Sequence, residues 1–535
     1  MTRRRLAWSG VAAFIALALI VSSLVSLTQA RAGLSITRMT VGNTPVRVFQ
    51  DDRLAESDAT PPRVLIAHGF AGSQQLMEPF ALSLARQGYL AVTFDFLGHG
   101  QHPRPLGGDV TKVEGSTQQL LSQMGTLAAF ARTLPPAANG RGDAKVRLGL
   151  LGHSMASDVV VRYAQQDPAV DATVAVSMFS PAVTAASPGN LLIIDGEWES
   201  FLVQEGERVM GLVSDPQVPE AGVTYGSLRA GDARRLEVAP GVEHVSVLYS
   251  AYAHRAAADW FRERWAAPQA DAGDADESVA PRGGAIVRLF LGMVLLTWPL
   301  AALLPRVVGP SPSVEPVNPA PQGGWRGAAP SVWIPAIATP LLLFWVPANF
   351  LGVLVGGYLV VHFAVYGLIT WACMHRWPPA PKRALGELLP GRAAIAIVAT
   401  ILWTTGAFAW ALDSWFTAFI PTAPRVPLLA AMVIATASYF FADEWLCGHY
   451  AVPRGMRLVT RLSFLLSLAI AVALSLNELF FLIIIAALVA FYFLVYGLMN
   501  AWINRATGHP LVAAMSSAMA FAWALAVVFP MMTGQ

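Results

Sequence analysis

Charge is what this chain has least of. Only 13% of its 535 residues are charged, about half the share of an ordinary water-soluble globular protein. With 55% of residues hydrophobic, much of the chain belongs in lipid. The charges nearly cancel, at +2 net, and no basic block stands out beyond Arg3-Arg4-Arg5. That argues against a nucleic-acid partner. Cysteine is almost missing: Cys373 and Cys447 both fall in or beside apolar segments of the second half. They exclude a disulfide framework and metal-ligand spacing, so no metal and no organic cofactor is expected. No repeat with a solenoid period is apparent.

Long apolar runs are what is there. After the three arginines, residues 6–27 are continuously apolar. The small-x-small Ala30-Arg31-Ala32 would suit cleavage of a secretory signal, but the length suits a spanning helix. The expected layout is an anchor over 1–30, an α/β domain over 31–265, a flexible Ala/Asp/Gly/Pro linker over 266–284 and a polytopic membrane domain over 285–535. In that last part, apolar segments lie near 286–304, 332–348, 351–372, 393–412, 426–446, 462–476, 479–499 and 510–529. With the anchor they make nine spans. Pro347-Ala348-Asn349 and Asn477-Glu478 break two overlong runs into hairpins, and either hairpin is also compatible with a re-entrant segment.

With the amino terminus inside, the inner loops hold thirteen Lys and Arg against Arg425 alone in the outer ones. This positive-inside asymmetry predicts an inner, cytoplasmic membrane with the α/β domain on its outer, extracytoplasmic side. Near mid-depth the only ionisable residue is His362, expected to hydrogen-bond between helices. Arg288, Asp413, Asp443, Glu444 and Glu478 lie near predicted span ends, within reach of water. The scarcity of buried charge weakens a transporter reading.

Between residues 33 and 265, short unalternated runs separate helical patterns: Arg63–Ala67, Leu90–Phe94, Val146–Leu151, Val174–Val176, Leu191–Ile194 and Arg235–Val238. They predict a mostly parallel sheet covered by helices on both faces. At the end of one strand stands Gly152-His153-Ser154-Met155-Ala156, followed by helical sequence. A serine hydroxyl is a poor nucleophile and must be lifted clear of the sheet beside a base and oxyanion donors. A tight strand-to-helix turn does this, and it crowds the backbone enough to require small neighbours. His68-Gly69-Phe70-Ala71-Gly72-Ser73 follows an early strand and offers the Phe70 N–H, which with that of Met155 would form an oxyanion hole. Asp95-Phe96-Leu97-Gly98-His99-Gly100 is a further turn after a strand. His68, His99 and His153, in turns beside the site, are read as structural.

Those three motifs, in this order and spacing, resemble the α/β-hydrolase superfamily in its lipase, esterase and dienelactone-hydrolase branch. The resemblance covers only the first half of the chain. It implies Ser154 as nucleophile, His244 in Gly241-Val242-Glu243-His244 as base, and an acid after the strand ending at Ile194. The family's G-x-x-D pattern aligns with Glu199, three residues after Gly196. Asp195 is the alternative acid, but its direction is still fixed by strand alternation, whereas Gly196 lets the chain turn first. The function expected is a membrane-embedded serine hydrolase that cleaves an ester or thioester of a lipophilic substrate through an acyl-enzyme. Its partners would be that substrate and membrane lipids. An acyltransferase using the same acyl-enzyme, and a transporter or assembly protein with a non-catalytic hydrolase-like domain, are the other readings.

Overall fold

The computed structural model describes residues 3–533 apart from 57–59, 110–112, 135–145, 215–218, 266–281, 309–323, 348–349, 383–384 and 386–388. The linker expected over 266–284 lies outside the described residues as far as 281, and a helix begins at Gly283. Two compact units form. One comprises Ser23–Val287 together with Leu412–Ala418; the other comprises Met1–Ser22, Arg288–Ala411 and Phe419–Gln535.

The first unit is built on a nine-stranded sheet. Its strands are β1 (Leu34–Val41), β2 (Thr44–Asp51), β3 (Arg63–Ala67), β4 (Leu90–Phe94) and β5 (Leu148–His153), then β6 (Val170–Val176), β7 (Leu191–Gly196), β8 (Thr224–Tyr225) and β9 (Arg234–Ala239). The spatial order is β1-β2-β4-β3-β5-β6-β7-β9-β8. Strands β4, β3, β5, β6, β7 and β9 run parallel, and β1, β2 and β8 add antiparallel edges. Every residue of β3, β4, β5 and β7 is buried. Burial on both faces is why these strands read as unbroken apolar runs. Strand order reverses beside β3 and β5, and side chains at their C-terminal ends meet in the crevice where α/β sheets place their sites.

The helices of this unit alternate with the strands. After α1 (Arg3–Gln29), the first to pack on the sheet is α2 (Glu78–Arg86), followed by α3 (Gln118–Thr133), α4 (Met155–Gln166), α5 (Ser200–Met210) and α6 (Ala251–Trp265). Phe80, Leu84, Ala257, Trp260 and Phe261 bury against Val64, Ile66, Leu151 and Val174. Each fully buried Phe, Leu, Ile or Val among them contributes about 1.5–3 kcal/mol on leaving water.

The second unit is helical. Among the described residues, eight helices, from Ala7–Gln29 to Pro510–Val528, are long and apolar enough to cross a membrane, which suggests a multi-pass membrane protein. The segment read as a ninth span is a helix over Trp325–Leu342 with Pro330, Pro335 and Pro340 inside it, and it is not among the eight. Helix Met456–Leu474 ends at Ser475, and Leu482–Thr507 resumes beyond the predicted break.

Of the acids expected near water, Glu478 is exposed, but the pair Asp443 and Glu444 is instead buried in this unit. Asp443 and Glu444, on helix Val426–His449, are 3% and 0% exposed. Glu444 accepts from Arg457 Nη2 at 2.6 Å and from Asn500 Nδ2 and Asn504 Nδ2 at 2.7 Å. Arg461 lies 3.7 Å from Asp443 and 3.5 Å from Glu444, and donates to the Phe493 carbonyl. Gly497 makes room for it, since a Cβ there would fall 1.9 Å from Arg461 Nη1. Two acids against two arginines explain how charge survives burial: removing any partner would strand an uncompensated ion. Arg425 is also buried, donating to the carbonyls of Ala526 and Phe529. His362 is fully buried and, among the described residues, has no hydrogen-bond partner where one was expected; Tyr358, Tyr366 and Phe464 pack against its ring.

Candidate active site

Strand β5 ends at His153, and Ser154 takes φ 56° and ψ −120° before α4 begins at Met155. A non-glycine residue at positive φ is strained and persists only where its surroundings hold it. Here the Ser154 N–H donates to the Val176 carbonyl at 2.9 Å, and its carbonyl accepts from Ser157 N at 2.8 Å. Gly152 is required because a Cβ would lie 2.4 Å from the Ala156 carbonyl oxygen. Gly69 is required because a Cβ would lie 2.8 Å from the Cβ of Ser154. That close approach brings the loop of residues 68–73 alongside the serine.

Two further side chains complete a line of hydrogen bonds. The Ser154 hydroxyl lies 2.8 Å from His244 Nε2, and His244 Nδ1 lies 2.6 Å from Glu199 Oε1. The loop after β9 presents His244, and the turn after β7 presents Glu199 at the threshold of α5. Glu199 Oε2 accepts from the Gly196 N–H at 2.7 Å and from the Ser177 hydroxyl at 2.8 Å. Burial alone would raise this carboxyl. The hydrogen bonds from His244, Gly196 and Ser177 and the nearby imidazole outweigh it and hold Glu199 below the usual carboxylate range. An ionised acid is what an imidazole needs in order to keep Nδ1 protonated and Nε2 open toward the serine.

Asp195, the alternative acid, points elsewhere. It is fully buried, its Oδ1 accepts from the Met178 N–H at 2.8 Å, and its Oδ2 has no hydrogen-bond partner among the described residues. Burial pushes its carboxyl well above the usual range, the opposite direction from Glu199.

Of the proposed oxyanion donors, Met155 is the first residue of α4, where an N–H has no acceptor within the helix. Phe70 sits in the loop that Gly69 presses against Ser154. Three ties hold that loop. His68 Nδ1 donates to the Gly69 carbonyl and Nε2 accepts from the Phe96 N–H. Gly72 N donates to the Gly69 carbonyl. Asp95 accepts from Gln74 N, Gln74 Nε2 and Gln101 N. Gly100, at φ 52°, clears the Asp95 carboxyl, which any Cβ would meet at 2.4 Å.

Two contributors had no catalytic-site role assigned from the sequence. Ser177, at φ 51° just past β6, was marked only by following a strand end. His153 was read as structural, and its role is specific: Nε2 donates to the backbone carbonyl of His244 at 2.8 Å. Burial and the neighbouring His244 push His153 down to about 3, so this support stays neutral. Among the described residues no group of three or more His, Cys, Asp or Glu is arranged to hold a metal ion.

Sheet order, the elbow between β5 and α4, and the parallel run ending at the site define an α/β-hydrolase-like domain. Comparison with known families agrees: residues 59–218 match the family described as Serine aminopeptidase, S33. Solved structures similar to this chain include a dienelactone hydrolase from Anabaena variabilis. It is 14% identical, with 43% of this chain and 97% of that one covered and a TM-score of 0.31. A predicted CIB-like hydrolase from Thermoplasma acidophilum is 16% identical, covering 43% and 98% with a TM-score of 0.31. No curated protein matches the chain. The fold and the family match over residues 59–218 agree on a hydrolase-like α/β domain.

Proposed function

We propose that this protein is a membrane-embedded serine hydrolase that cleaves a carboxylic ester or thioester of a lipophilic substrate. The observation that carries the reading is the continuous hydrogen-bonded line from Ser154 through His244 to Glu199. His244 Nε2 takes the hydroxyl proton as Ser154 Oγ attacks the acyl carbon, and Glu199 stabilises the imidazolium. The N–H groups of Phe70 and Met155 receive the oxyanion. Collapse breaks the bond to the leaving alkoxide or thiolate, which collects the proton from His244. Water then repeats the sequence on the acyl-enzyme, releasing the carboxylic acid and restoring the serine.

The lipophilic substrate is supported by residues next to the reacting groups. Phe179, Trp198, Phe201 and Val245 are 48%, 67%, 68% and 42% exposed, and Phe179 stacks on Phe201 at 5.9 Å. Each follows or precedes Ser177, Glu199 or His244 closely in the chain. The matching family's description names an aminopeptidase, whose substrate ammonium would need an available carboxylate. Glu197 and Glu243 adjoin Glu199 and His244 in the chain and accept from Gly241 N and from Val245 N and Ser246 N; the four exposed apolar side chains favour an acyl chain. The basic-residue asymmetry supports an extracytoplasmic hydrolase domain. Arg425 and Arg461 are buried rather than in loops, and setting both aside leaves twelve against none.

The test is labelling by a fluorophosphonate and turnover of p-nitrophenyl esters of graded chain length. Wild type should label and hydrolyse, with longer chains preferred over acetate. Ser154→Ala should lose both, by about 10⁶ in kcat. Substantial turnover by purified Ser154→Ala would sink the assignment.

A further inference from the structure

The unit that holds the site is not continuous in sequence: Leu412–Ala418, from far along the helical half of the chain, belongs to it. Hydrogen bonds and ring contacts hold this segment there. The Ala418 N–H donates to Ser73 Oγ at 2.9 Å, and the hydroxyls of Ser73 and Thr417 lie 3.1 Å apart. Phe416 stacks on Tyr249 with ring planes 15° apart. Arg31 donates to the Ser414 carbonyl at 2.9 Å and lays its guanidinium 4.3 Å from the centre of the Trp415 ring. Arg31 is itself fixed, bonded through Nε and Nη2 to both oxygens of the buried Glu78 at 2.6 and 2.9 Å.

Ser73 is 1% exposed and closes the loop His68–Ser73 that carries Phe70. From within the domain that loop is held through His68, Gly72 and Gln74. On its far end, Ser73 is held by residues 417 and 418. We infer that Leu412–Ala418 is a positioning element for the oxyanion loop, acting through the hydroxyls of Ser73 and Thr417. The inference rests on the serine-hydrolase reading of Ser154. An oxyanion donor displaced by a fraction of an ångström loses transition-state stabilisation while substrate binding is little changed, because its task is met only as charge develops.

The experiment uses the full-length protein in detergent, with p-nitrophenyl butyrate turnover, the rate of fluorophosphonate labelling and thermal midpoint as readouts. Ser73→Ala removes both contacts to the segment, and Thr417→Val removes one without touching the hydrolase core. Both should lower kcat, by about 10- to 100-fold for Ser73→Ala and less for Thr417→Val, consistent with a weakened oxyanion donor. KM and thermal midpoint should hold, labelling should slow in parallel, and Thr417→Ser should restore the wild-type rate. Wild-type kcat in both variants, or a lowered midpoint with kcat unchanged, would overturn the inference and leave the hydrolase reading standing. Failure of wild type to label would overturn both.

Discussion

Replacing Glu199 with Gln tests the site most sharply, because the carboxylate accepts from three donors at once. They are His244 Nδ1 at 2.6 Å, Gly196 N at 2.7 Å and the Ser177 hydroxyl at 2.8 Å. A glutamine has one acceptor oxygen. Turned toward Gly196 and Ser177, it satisfies two donors and sets its NH₂ against His244 Nδ1. The imidazole then relieves the donor–donor contact by shifting its proton, so that Nδ1 accepts and Nε2–H faces Ser154. An Nε2 that already carries a proton cannot take one from the serine. The expected loss is up to about 10⁴ in kcat, roughly 5 kcal/mol of transition-state stabilisation. Asp195→Asn is the control. Its amide oxygen can still accept from Met178, and its NH₂ replaces an oxygen that has no hydrogen-bond partner among the described residues, so kcat should stay within about tenfold of wild type. Both are measured by ester turnover, with folding checked by thermal midpoint. A crippled Asp195→Asn beside an active Glu199→Gln would refute the assignment of the acid.

Three further outcomes are expected. Burial holds His254 down at about 4 and His153 at about 3, below the value of about 6.5 in an unfolded chain. From about pH 6.5 downward the unfolded state therefore binds protons that the folded state refuses. Stability is full above that pH and falls below it, by about 3 kcal/mol from His254 alone near pH 4. Denaturation midpoints at pH 7 and 4.5 should diverge, and His254→Gln should narrow the gap. Arg461→Met strands Asp443 and Glu444 with fewer partners and should cost about 3–5 kcal/mol; a thermal midpoint equal to wild type would contradict the buried-pair account. A reporter at Gly273 should be active only outside the cytoplasm, and activity only inside would reverse the proposed orientation.

Much of the hydrolase domain was legible because its signals are local. An unalternated apolar run marks a doubly covered strand, and small residues around Ser154 and Gly69 mark backbones in contact. Turn chemistry after β7 separated Glu199 from Asp195 for the same reason: strand alternation fixes one direction and Gly196 frees the other. The antiparallel strands β1, β2 and β8 went unread: β1 is exposed or half-buried along most of its length, β8 is two residues long, and β2, though mostly buried, mixes Thr44, Arg47, Gln50 and Asp51 with its apolar residues. Ser177 is a plain serine until the fold sets it beside Glu199, 22 residues away. Asp443 and Glu444 were placed near water from their position in one apolar run. Their partners Asn500 and Asn504 stand 56 and 60 residues further on, and no single-helix pattern reports them.

The tie between Ser73 and Thr417 also has a consequence in time. Their 344-residue separation means that the ribosome finishes the elbow, base and acid long before it makes the segment that holds the oxyanion loop. From His244 to Thr417 is 173 residues, so at ordinary elongation rates that interval is roughly 9–35 s. A nascent hydrolase domain would spend it with Ser154, His244 and Glu199 already translated but the loop secured on one side only. Full catalytic competence would then coincide with synthesis of the helices around residue 417, so the enzyme would become active only when most of its helical half exists.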